Sequence, residues 1–439
     1  MFTPHLDWLA DEGVRFTRAY SDCPVCVPAR ATIMTGRHGF NQGLTANKPA
    51  PVPAAEHPTL PGLLTAAGYQ TRAVGKMHFK PTRACYGFEH TQLPFDYVRE
   101  QKRLGRPTTM EHGLGQNEMH PGMSTVDEAQ SLTRWIVDRS IDFIETRDPT
   151  RPFFLWTSFT KPHPPFDPDP KYWAMYDGIP MPPRVTGDWS RAWELVPDAL
   201  KTDTIKFSQI HRFSEPQLAA SRRAYYACIS QVDYNLGLLF ARLRETGLLE
   251  NTWIVFTSDH GEMLGDHWLS TKSLLLEPAA NVPLIIRPPS PVNDLGVEPG
   301  TTRDGLVCLA DLLPNFLALA SVDPPSGIDG RNLLAQPGQA DRRERLFGAV
   351  DDRVAVIEQD LKLHRCLSDD SELMFDLTQD PLETRNLAGD PTHATERTRL
   401  AGLLDALGWR RPHASAEHQP SLNRWPGFHS TEVESDVFH

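Results

Sequence analysis

Two segments of this chain are apolar throughout over the length of a β-strand, Phe153-Phe154-Leu155-Trp156 and Trp253-Ile254-Val255-Phe256, and Val282-Pro283-Leu284-Ile285-Ile286 is a third such run. Helical patterns lie between them. Residues 126–147 are amphipathic, and Tyr225, Cys228, Ile229, Val232, Leu236, Leu239, Phe240 and Leu243 recur every three or four positions behind Ser214, Pro216 and Gln217, which resemble a capping box. Strands without a polar face, spaced by helices, belong in a sheet covered on both sides. The expected class is therefore α/β, with a mostly parallel central sheet sandwiched by helices. Thr59 caps a further helix, Gly68 ends it, and Tyr69 to Val74 reads as another strand; residues 4–13 and 309–320 read as helices.

The pattern changes after residue 344. Val354 to Ile357, Lys362 to Arg365 and Leu373 to Asp376 are short strands joined by turns, with a helix near 396–408. The expected organisation is an α/β catalytic domain over 1–344, a small C-terminal antiparallel sheet with a helix over 345–411, and a tail over 412–439.

Composition removes several functions. No apolar run approaches the roughly 20 residues that span a bilayer. The net charge of −12 argues against a nucleic-acid groove or an anionic membrane surface as the main partner. Six cysteines in 439 residues are too few for a disulfide framework, and Cys23-x-x-Cys26 has no second pair to complete a zinc site. With no secretory leader after Met1, a cytoplasmic location is expected for the sequence as given, and a periplasmic or secreted one if a leader lies upstream.

Ligands of an open α/β sheet bind beyond the carboxyl ends of its strands. Beyond Val74 come Gly75, Lys76 and His78. Lys161 and His163 follow the 153–159 run, and Ser258, Asp259, His260 and Gly261 follow the 252–257 run, with Asp266 and His267 farther on. One rim thus collects titratable groups from three strands. A fourth element, Cys26 to Gly36, reads as a helix with Pro28 in its opening position and Cys26 at its N-terminus, where free N–H groups favour an anion.

Cys26-Val27-Pro28-Ala29-Arg30 is similar to the Cys-x-Pro-x-Arg core of the type I, formylglycine-dependent sulfatases of the alkaline phosphatase-like superfamily. Around it Thr3-Pro4-His5-Leu6-Asp7, Gly75-Lys76-Met77-His78, His163-Pro164-Pro165-Phe166, Ser258-Asp259-His260-Gly261-Glu262, Lys272 and Phe375-Asp376-Leu377 resemble family blocks in family order. The resemblance runs from residue 3 to about 391, and the chain resembles arylsulfatase- and choline-sulfatase-like bacterial members.

That resemblance implies a sulfuric ester hydrolase acting on aryl or carbohydrate sulfate monoesters. Cys26 would be oxidised to formylglycine by a maturation enzyme. Arg30 would orient it, Asp259 would be the base, and Lys76 and Lys272 would bind substrate. His163 would serve the leaving oxygen with Lys272, and His78 would take the final proton. Asp259, His260 and residue 26 would hold a divalent metal, calcium in most of the family, with manganese or magnesium as alternatives. The Lys76–His78 pair favours sulfate monoesters over the alternative, a phosphonate monoester or phosphodiester hydrolase on the same scaffold.

The family's first strand ends in an aspartate pair that completes the metal site, and the match here begins after that point. Either the start codon lies upstream of Met1, or this is a shortened form with a weakened site, at the limit a non-catalytic member that binds sulfated ligands. The pairs Asp351-Asp352 and Asp369-Asp370 lie in the appended sheet and read as solvated turn residues. Without that strand, its neighbours' backbone groups would lack ladder partners. Specificity is expected from loops 84–125 and 166–212, where Trp173, Trp189 and Trp193 pack or stack on a ring.

Overall fold

The computed structural model describes residues 1–46, 57–108, 114–115, 117–289, 298–334, 343–369 and 371–409. Gln70–Gly75 lies between His90–Gln92 and Phe153–Ser158 in a three-stranded parallel sheet. A second sheet orders Ile254–Thr257, Leu284–Arg287, Val14–Phe16 and Thr301–Arg303. In it Val14–Phe16 and Thr301–Arg303 are parallel, while Leu284–Arg287 is antiparallel to both neighbours. The chain returns from Thr257 to Leu284 through the short helices Asp266–Trp268 and Glu277–Ala280 and enters the sheet in the opposite direction. Ala19–Tyr20 and Val307–Cys308 form a further parallel pair. Parallel pairing thus prevails in this part, as the apolar strands imply.

The helices follow local signals. Thr59 Oγ1 accepts the Gly62 N–H at 3.3 Å to open Leu60–Ala66. The Gln217 side chain accepts the Ser214 N–H at 2.9 Å at the head of Glu215–Glu245, a helix of 31 residues. That helix lays Leu236, Leu239, Phe240 and Leu243 inward, against Leu132–Thr146 and Pro4–Asp11. Its buried Asp233 accepts the Leu6 N–H at 2.8 Å and lies 2.9 Å from His5 Nδ1, which caps Pro4–Asp11 from a neighbouring element. Pro94–Arg103 is a helix that the sequence pattern does not single out; among its ten residues only Pro94, Tyr97, Val98 and Gln101 are buried.

Among the described residues, Phe153–Ser158 and Ile254–Thr257 each pair along one edge only. Their other edges face a cavity of about 1310 Å³ between the two sheets, lined by Leu155, Thr157, Phe256, Leu236, Phe240 and Phe316. Arg30 and Asp259 also line it.

Beyond residue 344, Arg345–Val350, Arg353–Glu358, Leu361–Cys366 and Glu372–Asp376 form an antiparallel meander. Its first strand is an addition to the three the sequence marks. One face receives Leu400 and Leu404 of the helix Ala394–Ala406 onto Val354, Val356, Leu363 and Met374. The other packs on the catalytic part through Leu275, Val350 and Ala355. Asp351 and Asp352 sit in the turn between the first two strands and Asp369 in a later turn; Asp370 and the tail expected at 412–439 lie outside the described residues.

Candidate active site

The site assembles where strand ends meet the first turn of one helix. Cys26–Thr35 is buried along its whole length and stops at Gly36, whose φ is 66°. The helix begins at Cys26 itself, so Pro28 occupies its third position, still within the turn whose N–H groups have no intrahelical acceptor. Four residues on, Arg30 shares the face of Cys26.

Gly75 ends its strand at φ 99°, and a Cβ there would fall 1.9 Å from the Ser158 carbonyl oxygen. Only glycine permits that approach, and it delivers Lys76 to the site. Lys76 Nζ is 3.5 Å from Cys26 Sγ, and His260 Nε2 is 3.2 Å from it. His260 Nδ1 donates to the Gly261 carbonyl oxygen at 2.8 Å and Nε2 faces the sulfur, and Asp259 and Cys26 raise the ring above its ordinary value against its burial. His78, in the left-handed region at φ 64°, also faces Cys26; its Nδ1 is buried without a hydrogen-bond partner.

Arg30 is the hub. Its Nε donates to Asp259 Oδ2 at 2.8 Å, and its Nη1 donates to the Lys76 carbonyl at 2.6 Å and to Ser158 Oγ at 2.9 Å. Ser158 is a side chain in the site to which the sequence reading gave no role, although its place at a strand's carboxyl end marks it. On the far side Lys272 Nζ is 2.6 Å from His163 Nε2, and the His163 and His260 rings are 6.4 Å apart.

The electrostatics follow from this crowding. Burial by itself would raise the Cys26 thiol, yet Lys76, Lys272 and His260 overcome it and hold the group well below its ordinary value. Burial works likewise against the Asp259 carboxylate, and Arg30 and His260 prevail, keeping it well below the usual range. His163 is pushed well below its ordinary value by burial and by Lys272 and Lys76, so its ring is neutral. Burial also lowers Lys76 and His78.

All eight residues singled out from sequence, Cys26, Arg30, Lys76, His78, His163, Asp259, His260 and Lys272, converge here. Other strand-end groups do not. Lys161 donates to the Pro165 carbonyl at 2.5 Å and pairs with Asp167. Asp266 pairs with Arg222, and His267 is buried against Ser190 and stacked on Trp189. Trp189 is core, with its indole N–H on the Glu383 carbonyl at 2.7 Å. Cys23 is buried beside Val25, Leu275, Val350 and Ala355, with its thiol raised by burial, and forms no metal pair with Cys26.

Among the described residues, Cys26, Asp259 and His260 are the one cluster with metal-ligand spacing, their ligand atoms all within 4.8 Å of one another. One Asp259 oxygen is engaged by Arg30; Oδ1 faces His260 Nε2 at 3.9 Å. A free carboxylate oxygen, an imidazole lone pair and residue 26 make a donor set that fits a divalent cation.

Comparison with known proteins places the chain in a family. Residues 1–322 match the sulfatase family, and residues 265–408 match the C-terminal region of N-sulphoglucosamine sulphohydrolase. An arylsulfatase of Clostridium perfringens is 30% identical over 422 residues, covering 88% of this chain and 85% of the relative. A choline-sulfatase of Rhizobium meliloti is 30% identical over 460 residues, covering 97% and 86%. A structure solved with its substrate D-glucosamine-2-N,6-O-disulfate superposes with a TM-score of 0.72 at 25% identity, covering 93% of this chain and 92% of that one. The phosphonate monoester hydrolase of Agrobacterium radiobacter shares the fold, with a TM-score of 0.76 at 23% identity over 93% and 90%.

Proposed function

The chain belongs to the sulfatase family and is a sulfuric ester hydrolase, and from that premise we propose that it cleaves aryl or carbohydrate sulfate monoesters at residue 26. Cys26 is converted to formylglycine by a separate maturation enzyme that reads Cys26 to Arg30. The hydrated aldehyde supplies a hydroxyl nucleophile where the thiol now lies. The observation that carries the reading is the convergence of cationic and imidazole groups on one atom. Lys76 and His260 lie within 3.5 Å of Sγ, His78 faces it, and the Lys272–His163 pair stands alongside. A tetrahedral, anionic sulfate monoester needs such surroundings in a chain whose net charge is −12.

Each residue then has a task its position allows. Lys76 and Lys272 bind the sulfuryl oxygens. Arg30 orients residue 26 and Asp259 together, and Asp259 accepts the nucleophile's proton. Lys272 and the neutral His163 hold a proton for the leaving oxygen. His78 Nδ1, buried and unpartnered, takes the second proton from residue 26. Asp259 Oδ1, His260 Nε2 and residue 26 would hold the metal, which supplies a Lewis acid at the sulfuryl oxygens. Calcium, which takes about six to eight oxygens, fits this set less closely than manganese, because one donor is an imidazole.

The test is expression with a formylglycine-generating enzyme, followed by mass spectrometry of the peptide containing residue 26 and turnover of an aryl sulfate. Aldehyde in place of thiol, with turnover abolished in Cys26→Ala, is expected. An unconverted thiol with no turnover and no metal uptake overturns the reading. The ratio of aryl sulfate to aryl phosphonate turnover decides between the two ester classes, and a ratio above one is expected.

A further inference from the structure

We propose that Arg353, on the C-terminal antiparallel sheet, is a positioning residue for Lys272, and that Glu262 holds the same loop from its other flank. The inference rests on the leaving-group role given to Lys272 above.

Lys272 sits in a loop whose backbone is unfavourable on both sides of it. Thr271 has φ 65° and Ser273 has φ 69°, a region that non-glycine residues seldom enter and β-branched ones avoid most. Left alone, this loop would relax and carry the Lys272 ammonium away from His163.

Four flanking backbone groups are tied down. The Thr271 N–H donates to the Glu262 carboxylate, and the Thr271 carbonyl accepts the Met263 N–H at 2.9 Å. The Ser273 N–H donates to the Pro24 carbonyl at 3.0 Å, two residues before Cys26. The Ser273 carbonyl accepts Arg353 Nη1 at 2.7 Å, and Arg353 Nε donates to the Ala199 carbonyl at 3.1 Å.

Arg353 is 5% exposed, and its recorded carboxylate contact, Asp352, is 3.8 Å away. A buried guanidinium is thus committed to backbone carbonyls, and one of them belongs to the residue next to Lys272. Charge-assisted bonds of this kind are stronger than neutral ones. Glu262 is the mirror case, a carboxylate that accepts the Leu264 N–H at 3.2 Å as well as that of Thr271. The appended sheet therefore reaches into the site through a backbone contact that needs no side chain in the pocket.

The experiment compares kcat across aryl sulfates of graded leaving-group acidity in the matured, full-length protein. Arg353→Met should lose about tenfold or more on the poorest leaving group and under about twofold on the best. Arg353→Lys, which keeps the charge with a shorter, single-headed reach, should show the same selective loss in smaller measure. Glu262→Ala, which removes the acceptor of the Thr271 N–H, should show the same selective loss, and a wild-type profile there removes Glu262 from the clamp. Ser273→Gly accepts a positive φ without restraint and should restore much of the loss when added to either Arg353 variant. Lys272→Ala should give a larger loss of the same selectivity. If Lys272→Ala is not selective, the role of Lys272 falls and the clamp with it. If it is selective while both Arg353 variants lose equally on all substrates, lose nothing, or are not rescued by Ser273→Gly, the clamp is refuted. Should Arg353→Met fail to fold, the Arg353→Lys pair decides alone.

Discussion

Lys272 Nζ stands 2.6 Å from Nε2 of His163, and that nitrogen can only accept, because Nδ1 of the same ring is 2.8 Å from the Pro164 carbonyl oxygen and carries the proton. The ammonium and the neutral ring form one proton-holding unit on the side of the site away from Arg30. Removing either partner should matter in proportion to how badly the leaving oxygen needs a proton.

His163→Ala should therefore lose about 10²- to 10⁴-fold in kcat on alkyl or sugar sulfates and little on nitrophenyl sulfate. A steep dependence of the loss on leaving-group pKa is the expected readout. An identical loss on every ester would remove His163 from that step.

Arg30→Met should destabilise the fold by about 3 to 5 kcal/mol, since it leaves the buried Asp259 carboxylate unpaired and strips donors from Ser158 and the Lys76 carbonyl. Urea denaturation with and without the substitution measures it. The double variant Arg30→Met with Asp259→Asn should recover part of the stability and none of the turnover.

These residues were legible because a catalytic site repeats short words. Cys26 to Arg30 and Gly75 to His78 carry their chemistry in consecutive positions, and the caps at Thr59 and Ser214 act over three residues. What stayed illegible is non-local. The direction of Leu284–Arg287 shows only in its pairing with Ile254–Thr257 and Val14–Phe16, and Arg345–Val350 declares itself only against Arg353–Glu358. Pro94–Arg103 is mostly charged and polar and shows just a narrow apolar stripe. Arg353 and Ser273 lie 80 positions apart, and nothing near either announces the bond between them.

A pH dependence should arise far from the catalytic groups. Lys362 is buried between Glu277 at 3.0 Å and Glu383 at 2.8 Å, where the appended sheet meets the catalytic part. Burial raises the Glu383 carboxyl from its ordinary 4.5 to about 7, with Glu277 adding repulsion against the pull of Lys362. The folded chain then keeps a proton that the unfolded chain releases. The contribution to stability is full below pH 4.5 and is lost as pH rises to about 7. Over that window its slope approaches about 1.4 kcal/mol per pH unit. Glu383→Gln should flatten this segment of the stability profile and match or exceed wild type at pH 8. A slope that survives the substitution assigns the proton elsewhere.

Hydrogen exchange should separate strands with one ladder partner from those with two. Peptides over 153–158 and 254–257 should exchange faster than those over 70–75 and 284–287, because half of their edge groups face the cavity. Equal protection in all four would mean that both cavity-facing edges are paired in solution.

That same cavity divides the site's supports. Ser158 stands on one bank, Asp259 on the other, and no hydrogen-bonded ladder crosses between their strands. Arg30 alone among the catalytic side chains bonds to both, so it serves as a rivet between two plates that also share apolar packing, Leu155 and Ile254 both resting on the cluster of Leu239 and Leu243. The alignment of nucleophile, base and cations thus depends on side-chain ties across that seam, Arg30 and the Lys272–His163 contact, and a load-sensitive measurement across the two sheets should find its yield point in them.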